Sequence, residues 1–431
     1  MFKKYYLTTA FLTLLAFASC DKAPEQITNK KDYEEYLQND TSLTLEPIKK
    51  DRNFWKEKLE KNPGQFPYLG KLAASQSQLF DATGEIKYLI KAEENLIAAN
   101  KRTGYSQAGY LRSLARNYIS QHRFRESLNL LNAAEAIGEN INDTHKMLFD
   151  VYMELGNYGK AETYLEKIED RTDFDFLIRY AKWSDHEGDL STAITYMEKA
   201  MEKAEASNLK ALKQWAYTNI ADFYGHNGEI RKSYNHFLKA LELDPNNAYA
   251  KKGISWIVYS YERNPKEALR ILNTITKQNQ TPDYYLLKAE IAEFMNTESA
   301  KRLNLASYWA AVSNENYGVM YNSNNAILYA EEFSELEEAM HLAQNEIENR
   351  PTPQSYALLA WTYYHKGEYE NALEIAEKNV VDKTHEPESL FHMAKIYKAN
   401  GKMRKARVLK EELLESVYEL GPVTEQEIRK I

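Results

Sequence analysis

A pattern of paired helices recurs along most of this 431-residue chain and limits its fold more than any other feature. In the fullest copy, Ala221 lies three residues before Tyr224, and Gly228 and Ser233 follow at the positions expected for a turn and a second helix. Successive copies are 34, 32, 40 and 35 residues apart in the middle of the chain and 34 apart near its C-terminus. The residues that anchor these copies are Ala115, Phe149, Ala181, Ala221, Trp256, Ala360 and Ala394.

Each residue type in the pattern has a physical role in a pair of packed helices. A small residue lets two helices approach closely, while Tyr, Leu and Phe three or four positions away fill the neighbouring grooves. Glycine ends the first helix because it tolerates a left-handed backbone, and Pro245 stops a second helix. The chain has only 16 Gly and 11 Pro, which favours long helices over a turn-rich β fold. The predicted helix-ending glycines are Gly156, Gly188, Gly228, Gly367 and Gly401.

This pattern resembles the tetratricopeptide repeat, whose period is also 34 residues. The resemblance covers residues 68–416 and implies an all-α solenoid of about ten stacked helix pairs. It also implies a right-handed superhelix in which the first helix of each pair lines the concave side. Because a single pair cannot bury its apolar face alone, neighbouring pairs stabilise each other, and we expect an elongated particle.

The order of these patterns divides the chain into seven segments. Residues 31–67 are helical but fit no repeat, so we expect them to cap the array, and residues 302–325 interrupt it. The predicted segments are a signal peptide at 1–19, a lipidated cysteine and tether at 20–30, an N-terminal helical cap at 31–67, a repeat array at 68–301, an irregular segment at 302–325, a C-terminal repeat array at 326–416 and a C-terminal tail at 417–431.

The N-terminus is typical of an exported protein. Lys3 and Lys4 precede an uncharged apolar run over residues 5–19, which is too short to cross a bilayer and has the length of a signal-peptide core. The run ends at Cys20, the only cysteine, and so resembles a bacterial lipobox, with Phe17 where Leu is usual. The resemblance implies a lipid on Cys20 that anchors the protein to a membrane of the bacterial cell envelope, with the outer membrane or the periplasmic face favoured. Plain secretion, after the A-x-A sequence before the cysteine, is the alternative.

Charge and motifs argue against several classes of function. The formal net charge of −8 disfavours nucleic-acid binding, which needs a basic face. The chain has no glycine-rich phosphate loop, no G-x-S-x-G elbow and no pair of histidines one helical turn apart. We therefore predict no catalytic residue, no metal and no cofactor, and a protein that is not an enzyme. An unrecognised catalytic site in residues 302–325 is the alternative.

The helix register assigns a set of side chains to the concave surface. Residues about three before, and about one and four after, each anchor lie on one helix face. We therefore predict a groove that binds a protein or peptide partner, and a membrane-anchored scaffold as the function. Capture of a glycan is the alternative, because lipoproteins of glycan-uptake systems also have helices similar to tetratricopeptide repeats. The predicted groove residues are Arg112, Arg116, Lys146, Asp150, Lys182, Asp222, His226, Trp361, Tyr364, Lys395 and Lys398.

Overall fold

The computed structural model describes residues 25–38 and 42–431, and within these ranges the chain forms 23 α-helices and no β-strand. The predicted signal peptide and Cys20 lie outside the described residues. No described helix combines the length and the apolar composition needed to cross a membrane. The first twelve helices are α1 (Lys30–Leu37), α2 (Ser42–Lys61), α3 (Pro67–Thr83), α4 (Ile86–Arg102), α5 (Ala108–Ser120), α6 (Phe124–Ile137), α7 (Ile141–Glu154), α8 (Tyr158–Lys167), α9 (Phe174–His186), α10 (Leu190–Ser207), α11 (Lys210–His226) and α12 (Ile230–Leu243). The others are α13 (Ala248–Trp256), α14 (Pro265–Ile275), α15 (Asp283–Phe294), α16 (Glu298–Val312), α17 (Asn322–Leu328), α18 (Leu336–Asn349), α19 (Pro353–His365), α20 (Tyr369–Asn379), α21 (Pro387–Ala399), α22 (Met403–Glu415) and α23 (Val417–Arg429).

Twenty of these helices form ten consecutive pairs. Pair 1 is α3 with α4, and the pairing continues in chain order to pair 10, which is α21 with α22. Each pair also packs on the next, so the apolar faces join into extended cores. The predicted all-α solenoid of about ten pairs is therefore confirmed, while its right-handed superhelix stays a prediction.

The anchor residues of the sequence pattern occupy equivalent places in the core. Pair 6 is the exception, because Trp256 is only partly buried and the neighbouring Ser255 takes the inner position. The Ser255 hydroxyl donates to the Ala268 carbonyl over 3.0 Å, so the register at this pair is one residue earlier than predicted. The anchors with no solvent exposure are Ala115, Phe149, Ala181, Ala221, Ala360 and Ala394.

Left-handed residues end the first helices, and the need for glycine is clearest at Gly84 of pair 1. Its φ is +66°, and a Cβ at this position would lie 2.6 Å from the Thr281 backbone nitrogen. Several other pairs have a left-handed residue that is not glycine. Those residues are His122, Arg263, Asn296 and Ser334. The predicted glycines, all with positive φ, are Gly156, Gly188, Gly228, Gly367 and Gly401.

The N-terminal segment differs from the tether predicted at 20–30. Residues 25–37, which we call the N-terminal clasp, pack on pairs 5 and 6 rather than on the first pair. The Ile27 backbone N–H donates to the Glu262 carboxylate over 2.7 Å, and the Thr28 hydroxyl donates to the same carboxylate over 2.8 Å. Residues 25–30 are therefore part of the folded body, because one partly buried carboxylate binds several donors from this segment.

The second half of the clasp is fixed by Glu267 on α14. The buried Tyr33 hydroxyl donates to Glu267 over 2.9 Å, and Lys30 pairs with the same carboxylate at 2.8 Å. Arg270 pairs with Glu267 at 2.8 Å and with Glu34 of the clasp at 2.7 Å. The clasp thus combines a buried aromatic ring with a network of charged hydrogen bonds. Of the predicted cap at 31–67, α2 packs against α3, whereas α1 belongs to the clasp.

The irregular segment predicted at 302–325 is mostly helical. Helix α16 continues to Val312 as the second helix of pair 7, and a short 3₁₀-helix, Glu315–Tyr317, leads into α17. Buried Tyr308 donates its hydroxyl hydrogen to Asn325 over 2.7 Å, which fixes the connection. The sequence pattern missed these helices because pairs 7 and 8 have Asn296 and Ser334 at the turn, where most of the pairs have glycine.

The C-terminal tail predicted at 417–431 is also folded. It forms α23, which packs on α22 and on pair 6. The Trp256 indole N–H donates to the Tyr418 carbonyl over 3.0 Å, and Ile428 is fully buried. Polar residues of this segment also bind the array: Glu425 is only 15% exposed and pairs with Arg263 at the turn of pair 6.

Contacts between distant turns close the superhelix on itself. The Gln280 N–H donates to the Thr83 carbonyl over 2.8 Å, which joins the connection after pair 6 to the turn of pair 1. The Asn349 side-chain amide donates to the His122 carbonyl over 3.0 Å, which joins the connection after pair 8 to the turn of pair 2. Pairs that are far apart in the array are therefore in direct contact, while the elongated shape of the particle stays a prediction.

Candidate binding groove

The concave side of pairs 1–5 encloses a groove of about 1310 Å³. The first helices α3, α5, α7, α9 and α11 supply its surface, as the helix register predicts. Its apolar lining includes Ala73, Ala74, Ile119, Met147, Phe174, Ile178, Leu212, Trp215 and Phe223. Its charged lining consists of Asp81, Arg112, Arg116, Asp143, Lys146, Asp150, Glu154, Asp175, Arg179, Lys182 and Asp185. A cleft of this size with a mixed lining is typical of a binding site.

Five of the eleven predicted groove residues meet in this cavity: Arg112, Arg116, Lys146, Asp150 and Lys182. Arg112 is held in place, because its guanidinium donates to the Glu139 carbonyl over 2.7 Å and to the Thr144 hydroxyl over 3.1 Å. Arg116 is exposed, and its guanidinium has no hydrogen-bond or ion-pair partner among the described residues.

The cations on α7 and α9 are neutralised by neighbouring carboxylates. Lys146 lies 2.7 Å from Asp173 and 2.9 Å from Asp175, and Arg179 lies 2.6 Å from Asp150. Burial lowers the pKa of Lys146, but its hydrogen bonds to the two aspartates outweigh that effect and raise the pKa above its usual value. Lys146 therefore stays charged. Its ion pairs with Asp173 and Asp175, and the pair of Arg179 with Asp150, hold α7 and α9 in register.

Lys182 and Glu154 form the next ion pair along the groove, at 3.0 Å, and Arg350 approaches Glu154 at 3.4 Å. Burial raises the pKa of Glu154, but the charges of Lys182 and Arg350 outweigh it and hold the pKa below its usual range. Arg350 lies in the connection after pair 8. Glu154 therefore takes part both in the groove wall, through Lys182, and in the contact between pair 3 and that connection, through Arg350.

Asp222 and His226 lie beyond the cavity, on the same face of α11. The Tyr249 hydroxyl donates to Asp222 over 2.6 Å, and His226 Nδ1 lies 3.9 Å from Glu419. Burial raises the pKa of Asp222, with the hydrogen bond from Tyr249 opposing it. These two residues extend the concave surface towards pair 6 and α23.

The predicted groove residues of the C-terminal pairs are engaged in packing. Trp361 is only 4% exposed, and its indole N–H donates to Glu331 over 2.7 Å, so the prediction that it lines the groove is wrong. Tyr364 stacks on the Trp361 ring with centroids 4.7 Å apart. Lys395 pairs with Glu427 at 3.0 Å and Lys398 donates to the Lys430 carbonyl over 2.6 Å, because α23 packs beside α21.

An aromatic pair that the sequence reasoning missed lies at the α9–α11 end of the groove. Phe174 and Trp215 meet edge to face with ring centroids 5.8 Å apart, and Trp215 remains 41% exposed. The register contained the necessary information: Phe174, Ile178 and Lys182 are four residues apart on one face of α9. The predicted groove residues on α9 included Lys182 but not Ile178 or Phe174, which precede it by one and two helical turns on the same face.

The comparison with known families agrees with this architecture. A model of the tetratricopeptide repeat matches residues 150–171, 216–247 and 353–378, which lie in pairs 3, 5 and 9. The chain contains tetratricopeptide repeats. Each of the three matched tetratricopeptide repeats has glycine at its turn, and the unmatched pairs include those with π-helical segments at Ile257–Tyr261 and Tyr329–Phe333.

Two curated relatives carry the same repeat. Human tetratricopeptide repeat protein 6 is 29% identical over 152 residues, which are 33% of this chain and 28% of the relative. TPR repeat-containing protein MJ1428 of Methanocaldococcus jannaschii is 25% identical over 278 residues, which are 57% of this chain and 46% of the relative. The chain therefore spans less than half the length of these relatives.

Two solved structures are similar to parts of the chain. A tetratricopeptide repeat protein from Parabacteroides merdae is 17% identical, with a TM-score of 0.34, and covers 56% of this chain and 93% of its own. Rap protein in complex with competence and sporulation factor is 14% identical, with a TM-score of 0.43, and covers 57% of this chain and 75% of its own.

No group of three or more His, Cys, Asp or Glu residues in the described ranges is arranged to hold a metal ion.

Proposed function

We propose that this protein is a scaffold whose groove binds an extended segment of a partner protein. The observation that supports this most directly is the concave surface of pairs 1–5, which presents the partnerless Arg116 and the half-exposed Trp215 inside one cavity. An exposed Trp in a concave, partly apolar site is typical of a binding hot spot. Tetratricopeptide repeats themselves suggest a protein-binding role.

We propose no catalytic step for this groove. Its lysines, its carboxylates and Arg179 are largely joined in ion pairs that hold adjacent helices together, such as Arg179 with Asp150 and Lys182 with Glu154. None of these pairs places a nucleophile beside a general base, which is the arrangement that covalent catalysis needs.

Photo-cross-linking in native cells tests the binding role. A benzoyl-phenylalanine in place of Ser113, which is exposed and lines the groove, is expected to form adducts with a protein or peptide partner. The matched control is the same residue in place of Glu162, which is exposed on α8, the second helix of its pair. Equal adducts at both positions, or none at Ser113, would contradict binding in the groove.

Glycan capture is the second candidate function, and Trp215 is the observation that favours it. An exposed indole can stack on a sugar ring as well as on a peptide side chain. Retardation of the protein by polysaccharide in affinity electrophoresis, lost in Trp215→Ala, would support glycan capture instead of peptide binding.

We propose that a lipid on Cys20 holds the scaffold to a membrane of the bacterial cell envelope. The support is the sequence before Cys20, with its charged start, its short apolar run and the small residues next to the cysteine. Acyl chains contribute about 0.8 kcal/mol per buried CH₂, so two or more chains anchor a protein stably.

Cell fractionation tests the anchor. Cys20→Ala is expected to move the protein from the membrane fraction to the soluble fraction, with Arg102→Ala, a change at an exposed residue of α4, as a control that leaves the N-terminus intact. Retention of Cys20→Ala in the membrane fraction would show that something other than a lipid on this residue holds the protein.

A further inference from the structure

The ion pairs of the groove leave Arg112 and Arg116 without a carboxylate, and the Arg112 guanidinium donates instead to the Glu139 carbonyl and the Thr144 hydroxyl. Lys146, Arg179 and Lys182 each lie within 3.0 Å of at least one carboxylate, and these pairs link α7 to α9. Arg116 lies on α5, outside this network, and has no partner among the described residues. A guanidinium that faces a concave site without a carboxylate is able to accept one from a ligand.

The nearby carboxylates do not neutralise Arg116. Asp150 on α7 is already ion-paired with Arg179. Neither Asp143 in the first turn of α7 nor Asp81 on α3 forms an ion pair with Arg116.

The other end of the groove is apolar. Phe174 and Trp215 form an edge-to-face pair, and Ile178 and Leu212 line the surface beside them. Such a site favours an aromatic or large aliphatic side chain, because the ligand's apolar surface and the exposed indole are both removed from water.

We propose that the groove recognises an extended peptide with an acidic residue at Arg116 and an aromatic or large aliphatic residue at the Phe174–Trp215 pair. This inference rests on the proposed peptide-binding function. Helix α5 is two first helices away from α9 and three away from α11, and each step is roughly 8–10 Å. The two ligand side chains are therefore roughly 20–30 Å apart, which an extended strand covers in roughly six to nine residues.

Selection of random twelve-residue peptides displayed on phage tests this assignment on the full protein. Peptides that bind the unchanged protein are expected to carry an Asp or Glu six to nine residues from an aromatic or large aliphatic residue. Selection on Arg116→Glu is expected to lose the acidic preference, and selection on Trp215→Ala the apolar one. For a peptide selected on the unchanged protein, each substitution is expected to weaken binding by roughly tenfold or more.

Arg102→Glu is the matched control, because it reverses an exposed charge on α4, outside the groove, and is expected to leave affinity unchanged. Circular dichroism of each variant verifies that the array stays folded. Enriched peptides that are basic, or that bind Arg116→Glu and Trp215→Ala as well as the unchanged protein, would overturn this inference while leaving groove binding intact. Failure to enrich any peptide would overturn both proposals.

Discussion

Phe149→Ala is expected to lower the free energy of unfolding by about 3–5 kcal/mol, the range for removing a fully buried phenylalanine. Phe149 has no solvent exposure and shares a cluster with Leu131, Leu165 and Leu177. It occupies the position that alanine holds in other pairs, so its ring fills space that the neighbouring backbone cannot close. The substitution leaves a cavity between pairs 2 and 4 and removes dispersion contacts on all sides.

Urea denaturation followed by far-ultraviolet circular dichroism measures this loss. Phe54→Ala is the control, because Phe54 is 50% exposed on α2 and its truncation is expected to change stability by less than about 0.5 kcal/mol. Since a solenoid is stabilised by neighbouring pairs, amide exchange in Phe149→Ala should accelerate first in pairs 2–4. Equal effects of the two substitutions would mean that Phe149 is not part of a close-packed core.

Glu267→Ala is expected to release the N-terminal clasp at a cost of about 3 kcal/mol. The Glu267 side chain is only 6% exposed and binds Tyr33, Lys30 and Arg270. Burial raises its pKa, but hydrogen bonds from these three residues outweigh burial and lower the pKa to about 2. The difference from the ordinary value of 4.5 corresponds to about 3 kcal/mol of stabilisation of the folded state.

The pH dependence of the clasp follows from the same shift. A carboxylate with a lowered pKa stabilises the fold fully above the ordinary value of 4.5, and this contribution is lost as the pH falls towards 2. The amide protection factors of residues 25–37, which correct for the pH dependence of the intrinsic exchange rate, should therefore fall in that acidic range, and in Glu267→Ala they should already be low at neutral pH.

Glu34→Ala is the matched control for the clasp. It removes the other carboxylate on Arg270, but Glu34 is 40% exposed, and exposed ion pairs contribute about 0–1 kcal/mol. Slow exchange of residues 25–37 in Glu267→Ala would mean that Glu262 and the apolar packing of Tyr33 hold the clasp without Glu267.

The sequence predicted the repeat pairs because their determinants are local. A small residue such as Ala221, a tyrosine three positions later and a glycine at the turn are read within one repeat, and they set the helix boundaries and the buried face together. The same register located Arg112, Arg116 and Lys182 on the groove. It failed at Trp361, because Glu331 of the preceding pair accepts its indole N–H and draws it into the core.

The clasp and the contacts between turns were beyond sequence reasoning for a different reason. Tyr33 and Glu267 are 234 residues apart, and no periodic pattern connects them. The contact of Asn349 with His122 depends on the curvature of the array, which is the sum of small rotations at each pair. Neither the contact of Tyr33 with Glu267 nor the curvature of the array is determined by the sequence of a single repeat.

The position of the clasp decides where a mechanical load on the N-terminus enters the molecule. Tension applied ahead of residue 25 reaches Arg231 in pair 5 and Glu262 and Glu267 in pair 6 first, through polar contacts of 2.7–2.9 Å. Pairs 1–4, which form most of the groove, lie outside that path of force as long as the clasp holds. An array suspended from its middle in this way can be pulled from its N-terminus without stretching the surface around Arg116.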